Sequence, residues 1–262
     1  GAMKMVRIAA MAACLALSGC VNQPTDESGL KSSPAGVETQ QRTSARVHTE
    51  LAANYFEIGN IGVALDEVKE ALHSDPNYGP ANNIAGLVYA RLKDDRSAEE
   101  SFQRAISINP GDYDANNNFG LFLCERKRER ESIKYFLAAV RNPLYPFPDR
   151  SYVNAGVCAR RAGDLADAEE YLLMALRTSP NQTQALYQLA DMAYARGDYA
   201  GTRVYLNRLT QAASANPEVL WLGVRTARRL NDRDTEASYA LQLRNRFPES
   251  GETRALNAGK FE

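Results

Sequence analysis

The chain has 262 residues, 44% of them hydrophobic, with 31 Lys+Arg against 32 Asp+Glu and a net charge of −1. That length holds one large core or several small ones, and the near-neutral balance argues against a nucleic-acid binder, which carries a basic stripe. Two histidines, His48 and His73, and four cysteines offer little for a metal site, and no pattern asks for a cofactor or a small-molecule substrate.

Lys4 and Arg7 precede an apolar run from Ile8 to Leu17, which leads into Leu17-Ser18-Gly19-Cys20. A basic start, a short apolar stretch and small residues before a cleavage point read as a signal peptide over residues 1–19. The run is too short to cross a bilayer as a helix, which needs about 20 residues. Gly1-Ala2, ahead of Met3, read as residues left by cloning. The tetrad resembles the bacterial lipobox, which implies cleavage before Cys20 and lipid attachment to that cysteine. Val21 stands where the bacterial sorting pattern places Asp for inner-membrane retention, so the same resemblance implies the outer membrane. Loss of residues 1–19 removes two basic side chains and leaves a net charge of −3. Residues 20–44 then comprise the lipidated cysteine and a polar segment with Pro24 and Pro34, expected to be a flexible tether. A coil of that length reaches roughly 25–30 Å.

Helical repeats are expected over residues 45–252, with a short tail at 253–262. In the second repeat, small residues stand at Gly86, Ala98 and Ala105, large ones at Tyr89 and Phe102, and Pro110 stops the second helix. The stencil recurs at 34 residues: Ala64 and Ala98, Ala71 and Ala105, Pro76 and Pro110. Two antiparallel helices approach closely only where side chains are small, and each pair must stack on the next to bury its apolar face. The period and pattern resemble the tetratricopeptide (TPR) repeat. The fold class implied is all-α, a right-handed superhelix of about six helix-turn-helix repeats starting near 45, 79, 113, 149, 183 and 217.

In the first repeat Leu51 and Tyr55 are expected to pack, with Gly59-Asn60 at the turn. The third carries Phe119-Gly120, Ser132, Phe136 and Ala139, followed by Asn142-Pro-Leu-Tyr-Pro-Phe-Pro-Asp149. Three prolines in six residues cannot continue a helix, so this is a stiff two-residue insertion after which the period resumes. The fourth has Gly156, Gly163-Asp164, Ala168 and Ala175. Repeats five and six lose the small residues, with Thr202 and Leu209, then Val224 and Leu243. Terminal repeats are commonly atypical because one face meets water; a changed packing angle in the last pair is the alternative.

Chemistry is thin. There is no phosphate-binding glycine loop, nucleophile elbow or His-Glu-x-x-His, and the acidic pairs Asp94-Asp95 and Glu99-Glu100 read as solvated helix faces. The sequence therefore points to a binding module and not to an enzyme. Cys124 and Cys158 fall late in the first helices of adjacent repeats. An exported protein sits where disulfides persist, which favours a bridge; two buried thiols acting as small apolar groups are the alternative.

By resemblance to TPR stacks, the first helices line a concave groove. Its expected contacts are Asn83 and Arg91 in repeat two, Asn117 and Leu121 in repeat three, and Arg160 in repeat four. Tyr187, Asp191 and Tyr194 follow in repeat five, then Trp221 and Arg225 in repeat six. Asn, Tyr, Trp and Arg suit an interface because they join apolar area to directed hydrogen bonds.

Asn116-Asn-Asn-Phe-Gly-Leu-Phe-Leu-Cys124 and Tyr152-Val-Asn-Ala-Gly-Val-Cys158 resemble paired motifs of the PilF/PilW lipoproteins of type IV pilus biogenesis, as does the ending Phe247-Pro-Glu-Ser-Gly-Glu252. Phe119 departs from the Tyr of many relatives. The resemblance spans residues 17 to about 252. It implies a lipid-anchored protein on the periplasmic face of the outer membrane, a pilotin or scaffold that supports assembly, localisation or stability of the secretin, or binds other pilus-assembly proteins. A periplasmic TPR adaptor or chaperone for a cell-wall enzyme is the competing reading.

Overall fold

The computed structural model describes residues 38–261, and among these there are thirteen α-helices and no strand. Twelve form antiparallel pairs. α1 (Gln40–Glu57) pairs with α2 (Ile61–Ser74), α3 (Gly79–Arg91) with α4 (Asp95–Ile108), and α5 (Tyr113–Glu125) with α6 (Glu129–Arg141). α7 (Pro148–Arg161) pairs with α8 (Leu165–Thr178), α9 (Thr183–Ala195) with α10 (Tyr199–Ala212), and α11 (Pro217–Arg229) with α12 (Arg233–Arg246). α13 (Gly251–Asn257) closes the C-terminal end against α11 and α12. The first member of each pair is called the A helix and the second the B helix.

The turn inside each pair sets the period. One residue there is left-handed: Gly59, Lys93, Lys127, Gly163, Gly197 and Asn231. The next residue is the N-cap of the B helix, and in four of the six repeats its side chain accepts from the first turn. Asp94, Asp198 and Asp232 each accept a hydrogen bond from the backbone N–H three residues on, at 3.1, 2.8 and 3.1 Å. Such caps satisfy donors that a helix start leaves orphaned.

Seven residues before the left-handed residue stands a small one, and nine after it a large one. Where the small residue is glycine, there is no room for a side chain. A Cβ at Gly86 would lie 2.6 Å from the Phe102 ring, at Gly120 2.7 Å from Phe136, and at Gly156 2.6 Å from Leu172. In repeats one and five the pairs are Ala52 with Val68 and Ala190 with Leu206, all buried. Repeat six inverts the sizes: Val224 sits on the A helix and Ala240 on the B helix, and the close glycine contact moves to Gly223 against Tyr239, where a Cβ would lie 2.8 Å from the ring.

Successive A helices touch one another, whereas successive B helices do not. The A helices therefore form the inner layer of the curve and the B helices the outer one. At the insertion, α7 packs more extensively on α6 than any other A helix does on the preceding B helix. Tyr145 from the insertion is buried, stacks on Tyr113 at 4.9 Å, and shares a hydroxyl–hydroxyl hydrogen bond with Ser151 at 3.1 Å. Across the same step the Cys124 and Cys158 sulfurs are bonded, with Cα atoms 6.0 Å apart, which ties α5 to α7.

Several local expectations change. Residues 40–44, assigned to the tether, form the first turn of α1, and part of the expected tail is α13. Ser250 caps α13 through Thr253 N at 3.1 Å, and Thr253 Oγ1 donates to the Phe247 carbonyl at 2.7 Å. Leu51 is 38% exposed, and Ala52 takes the core position beside it. The acidic pairs are not merely solvated. Asp95 receives Arg126 Nη2 at 2.8 Å, and Glu99 receives Arg128 Nη1 at 2.8 Å. With Arg130 on Asp164 at 2.9 Å, three alternate arginines at one turn stitch repeats two, three and four together. The signal segment, Cys20 and most of the tether lie outside the described residues.

Candidate protein-binding face

The inner layer is built mainly by the A helices, and each polar side chain on it either joins two repeats or remains available to a partner. Asparagines at its N-terminal half do the joining. In the run Asn116-Asn117-Asn118, Asn116 Nδ2 donates to the Pro110 and Asp112 carbonyls at 3.0 and 2.7 Å, which fixes the proline-terminated loop before α5. Asn82 does the same 34 residues earlier, to Pro76 at 3.2 Å and Tyr78 at 3.0 Å. Asn117 Oδ1 reaches forward and accepts from Ser151 Oγ at 2.7 Å and Asn154 Nδ2 at 3.1 Å. Asn118 Nδ2 reaches back to Asn83 Oδ1 at 3.1 Å. Asn83 is buried and Asn117 half-buried. Both were expected as groove contacts, but their acceptors are committed to neighbouring helices.

That commitment makes a prediction. Asn117→Ala removes an acceptor from two donors, one of them on the buried Ser151. It should destabilise the fold by about 1–2 kcal/mol, read as a lower urea midpoint. An unchanged midpoint would contradict this role.

The other expected residues divide in the same way. Leu121 is half-buried against Cys124, Phe136, Ala155 and Cys158 and acts as packing. Arg160 Nη2 meets Asp191 Oδ2 at 2.5 Å and its Nη1 donates to Gln188 at 2.7 Å, so repeats four and five are joined by an ion pair. Arg91 is exposed and stacks over Phe56 at 4.9 Å. Phe56, Leu87, Ala90 and Arg126 complete a shallow recess beside it.

Aromatic residues gather at the C-terminal half. Tyr187 is half-buried, and burial, reinforced by the Asp191 charge, raises its phenol pKa above the usual value. The phenol therefore stays neutral at physiological pH and offers a hydroxyl and not a charge. Tyr194 lies 5.2 Å from Tyr199 and carries the Arg225 guanidinium at 4.9 Å. Trp221 stacks on Phe261 at 5.7 Å. The sequence reading missed Phe261, Arg233 and Lys260, which with Arg228 surround this cluster. No helical period brings 260 and 261 beside 225; the turn after α13 does. Among the described residues no group of three metal-ligating side chains converges. What the face offers is aromatic area with guanidinium groups beside it, chemistry suited to holding a polypeptide.

A solenoid of paired helices with such an inner face is a TPR protein, and the tetratricopeptide repeat model matches residues 49–113 and 125–183. A type IV pilus assembly protein, PilF of Pseudomonas aeruginosa, is 31% identical over 244 residues, covering 93% of this chain and 94% of that one. An uncharacterised protein of Haemophilus influenzae is 28% identical over 121 residues, 46% of this chain and 68% of its own. Among solved structures, PilF of Pseudomonas aeruginosa superposes with a TM-score of 0.74 at 30% identity, over 85% of this chain and all of that one. PilW, described as a widely conserved type IV pilus biogenesis factor, superposes with a TM-score of 0.71 at 31% identity, over 81% and 98%. The chain belongs to the PilF/PilW family of TPR proteins.

Proposed function

We propose that this chain is a non-enzymatic scaffold of type IV pilus biogenesis. Cys20 is its lipid attachment point and holds it at the periplasmic face of the outer membrane. The inner face binds the secretin or another pilus-assembly protein and supports its assembly, localisation or stability. The observation that carries this reading is likeness to a pilus assembly protein along nearly the whole chain, 93% of it, and not over the repeats alone. A shared repeat fold would support any TPR adaptor; likeness that extends through both cysteine motifs supports this one. Of the expected contacts, Arg91, Tyr187, Tyr194, Trp221 and Arg225 are assigned to the partner. The Cys124–Cys158 bond is assigned to the exported protein, as a clamp that fixes the angle between repeats three and four.

Cys20→Ala tests the anchor. The variant should fold normally, because the cysteine lies outside the repeats, yet leave the outer-membrane fraction and fail to support pili. Full retention in that fraction after high-salt washing, with pili intact, would defeat the anchor.

A further inference from the structure

A cavity of about 930 Å³ opens at the turn end of the last repeat, between Tyr194 of α9, the C-terminal end of α11, the start of α12 and the segment after α13. Arg225, Arg228, Arg233 and Lys260 line it. The lining includes one carboxylate, Glu236, and that group is already paired with Arg228 at 3.0 Å. The chain as a whole is close to neutral, so this excess is a local concentration of positive charge. A recess focuses such a field onto an incoming anion.

Arg225 supplies the second observation. Its Nε is buried and has no hydrogen-bond acceptor. The guanidinium lies over Tyr194 at 4.9 Å and 5.8 Å from the Trp221 ring. Rings hold a cation through its face, but they do not supply an in-plane acceptor for Nε–H. A buried donor left without an acceptor is costly. Arg225 also lines the cavity, so an oxygen acceptor that enters it meets this guanidinium, and the charge around it favours an anionic one. Beside that position Phe261 stacks on Trp221, with Arg228 over the Phe261 ring at 4.0 Å. The cavity thus joins a carboxylate seat to an aromatic wall.

We propose that this cavity receives an acidic peptide segment of the partner protein, with a Glu or Asp carboxylate on Arg225 and an apolar neighbour against Trp221 and Phe261. The seat is recessed between aromatic rings, a shape that a side chain enters and a flat bilayer surface does not. The inference rests on the reading that the inner face binds a protein and names the chemistry of that protein's docking segment.

The test uses the full chain and a short fluorescein-labelled Glu/Ala peptide carrying one phenylalanine, with Gln/Ala and Lys/Ala versions beside it. Only the Glu/Ala peptide should bind, and more weakly as salt rises. Arg225→Gln should lose about tenfold in affinity, as expected for a truncated interface anchor. Arg233→Glu should lose as much, and because Arg233 is exposed that variant keeps its fold. Lys69→Glu, exposed on α2, should lose nothing. Equal binding of the Glu/Ala and Gln/Ala peptides overturns the proposal. So does an equal loss in Lys69→Glu, or Arg225-dependent binding to vesicles of anionic phospholipid in place of the peptide. Photo-crosslinking from Tyr187 to the native partner, run in parallel, separates the two levels. Crosslinks that persist while the peptide fails sink the cavity alone; loss of both sinks the binding face with it.

Discussion

Gly86→Val should destabilise the protein by about 3 kcal/mol, the upper part of the range for overpacking a close-packed core, and lower its Tm by roughly 6–12 °C. The cause is local. A Cβ at residue 86 would stand 2.6–2.7 Å from three atoms of the Phe102 ring, and Phe102 is fully buried. Its ring is boxed in by Phe119 at 5.6 Å and Phe122 at 5.7 Å, so it has little room to turn away. Gly120→Val should behave alike against Phe136, with 2.7 Å available. Gly62→Val is the control. It is also a helical glycine, but a Cβ there meets nothing within 4 Å, so the change should be neutral or slightly stabilising through better helix propensity. A double variant, Gly86→Ala with Phe102→Leu, should recover much of the loss by restoring volume. Equal Tm values for Gly86→Val and Gly62→Val would contradict the close-contact account.

Removing the bridge by Cys124→Ala with Cys158→Ala should cost about 3–4 kcal/mol in the chain-entropy model for a loop of this length, or roughly 6–16 °C in Tm. Reduction of the native protein should give the same shift. The loss should be uneven, because each repeat contacts only its neighbours. Amide protection should fall most in α5, α6 and α7, around the step that holds the insertion, and least in α1, α2 and α12. The bond joins α5 to α7 directly. Uniform loss of protection along the stack would show that it does not act as a local clamp.

The repeat register was legible because packing demands are absolute. Ala64, Gly86, Ala98, Gly120 and Gly156 sit where helices nearly touch, and prolines end the B helices, so the 34-residue period appears without knowledge of contacts. The turns were only partly legible. Gly59, Gly163 and Gly197 announce a left-handed residue, but Lys93 and Lys127 adopt the same conformation without that signal. The structural use of the polar stripe was not legible, for a physical reason. Asparagine offers one side chain to a partner or to the next helix with equal chemistry, and only the helix spacing decides. Asn83 and Asn117 face neighbours at 3.1 and 2.7 Å and are committed to them. α13, capped by Ser250, was not read from the sequence, where 253–262 was expected to be a tail; its value lies in carrying Phe261 back to Trp221.

The central claim is that the inner face binds a pilus-assembly protein. A photo-reactive residue placed in cells at Tyr187, at Tyr194, or at Val204 tests it most directly; Val204 is 58% exposed on the outer helix α10. The account predicts adducts from 187 and 194 that contain the secretin or another pilus-assembly protein, and none from 204. Adducts from 204 alone, or adducts from 187 and 194 that contain only cell-wall enzymes, would contradict it.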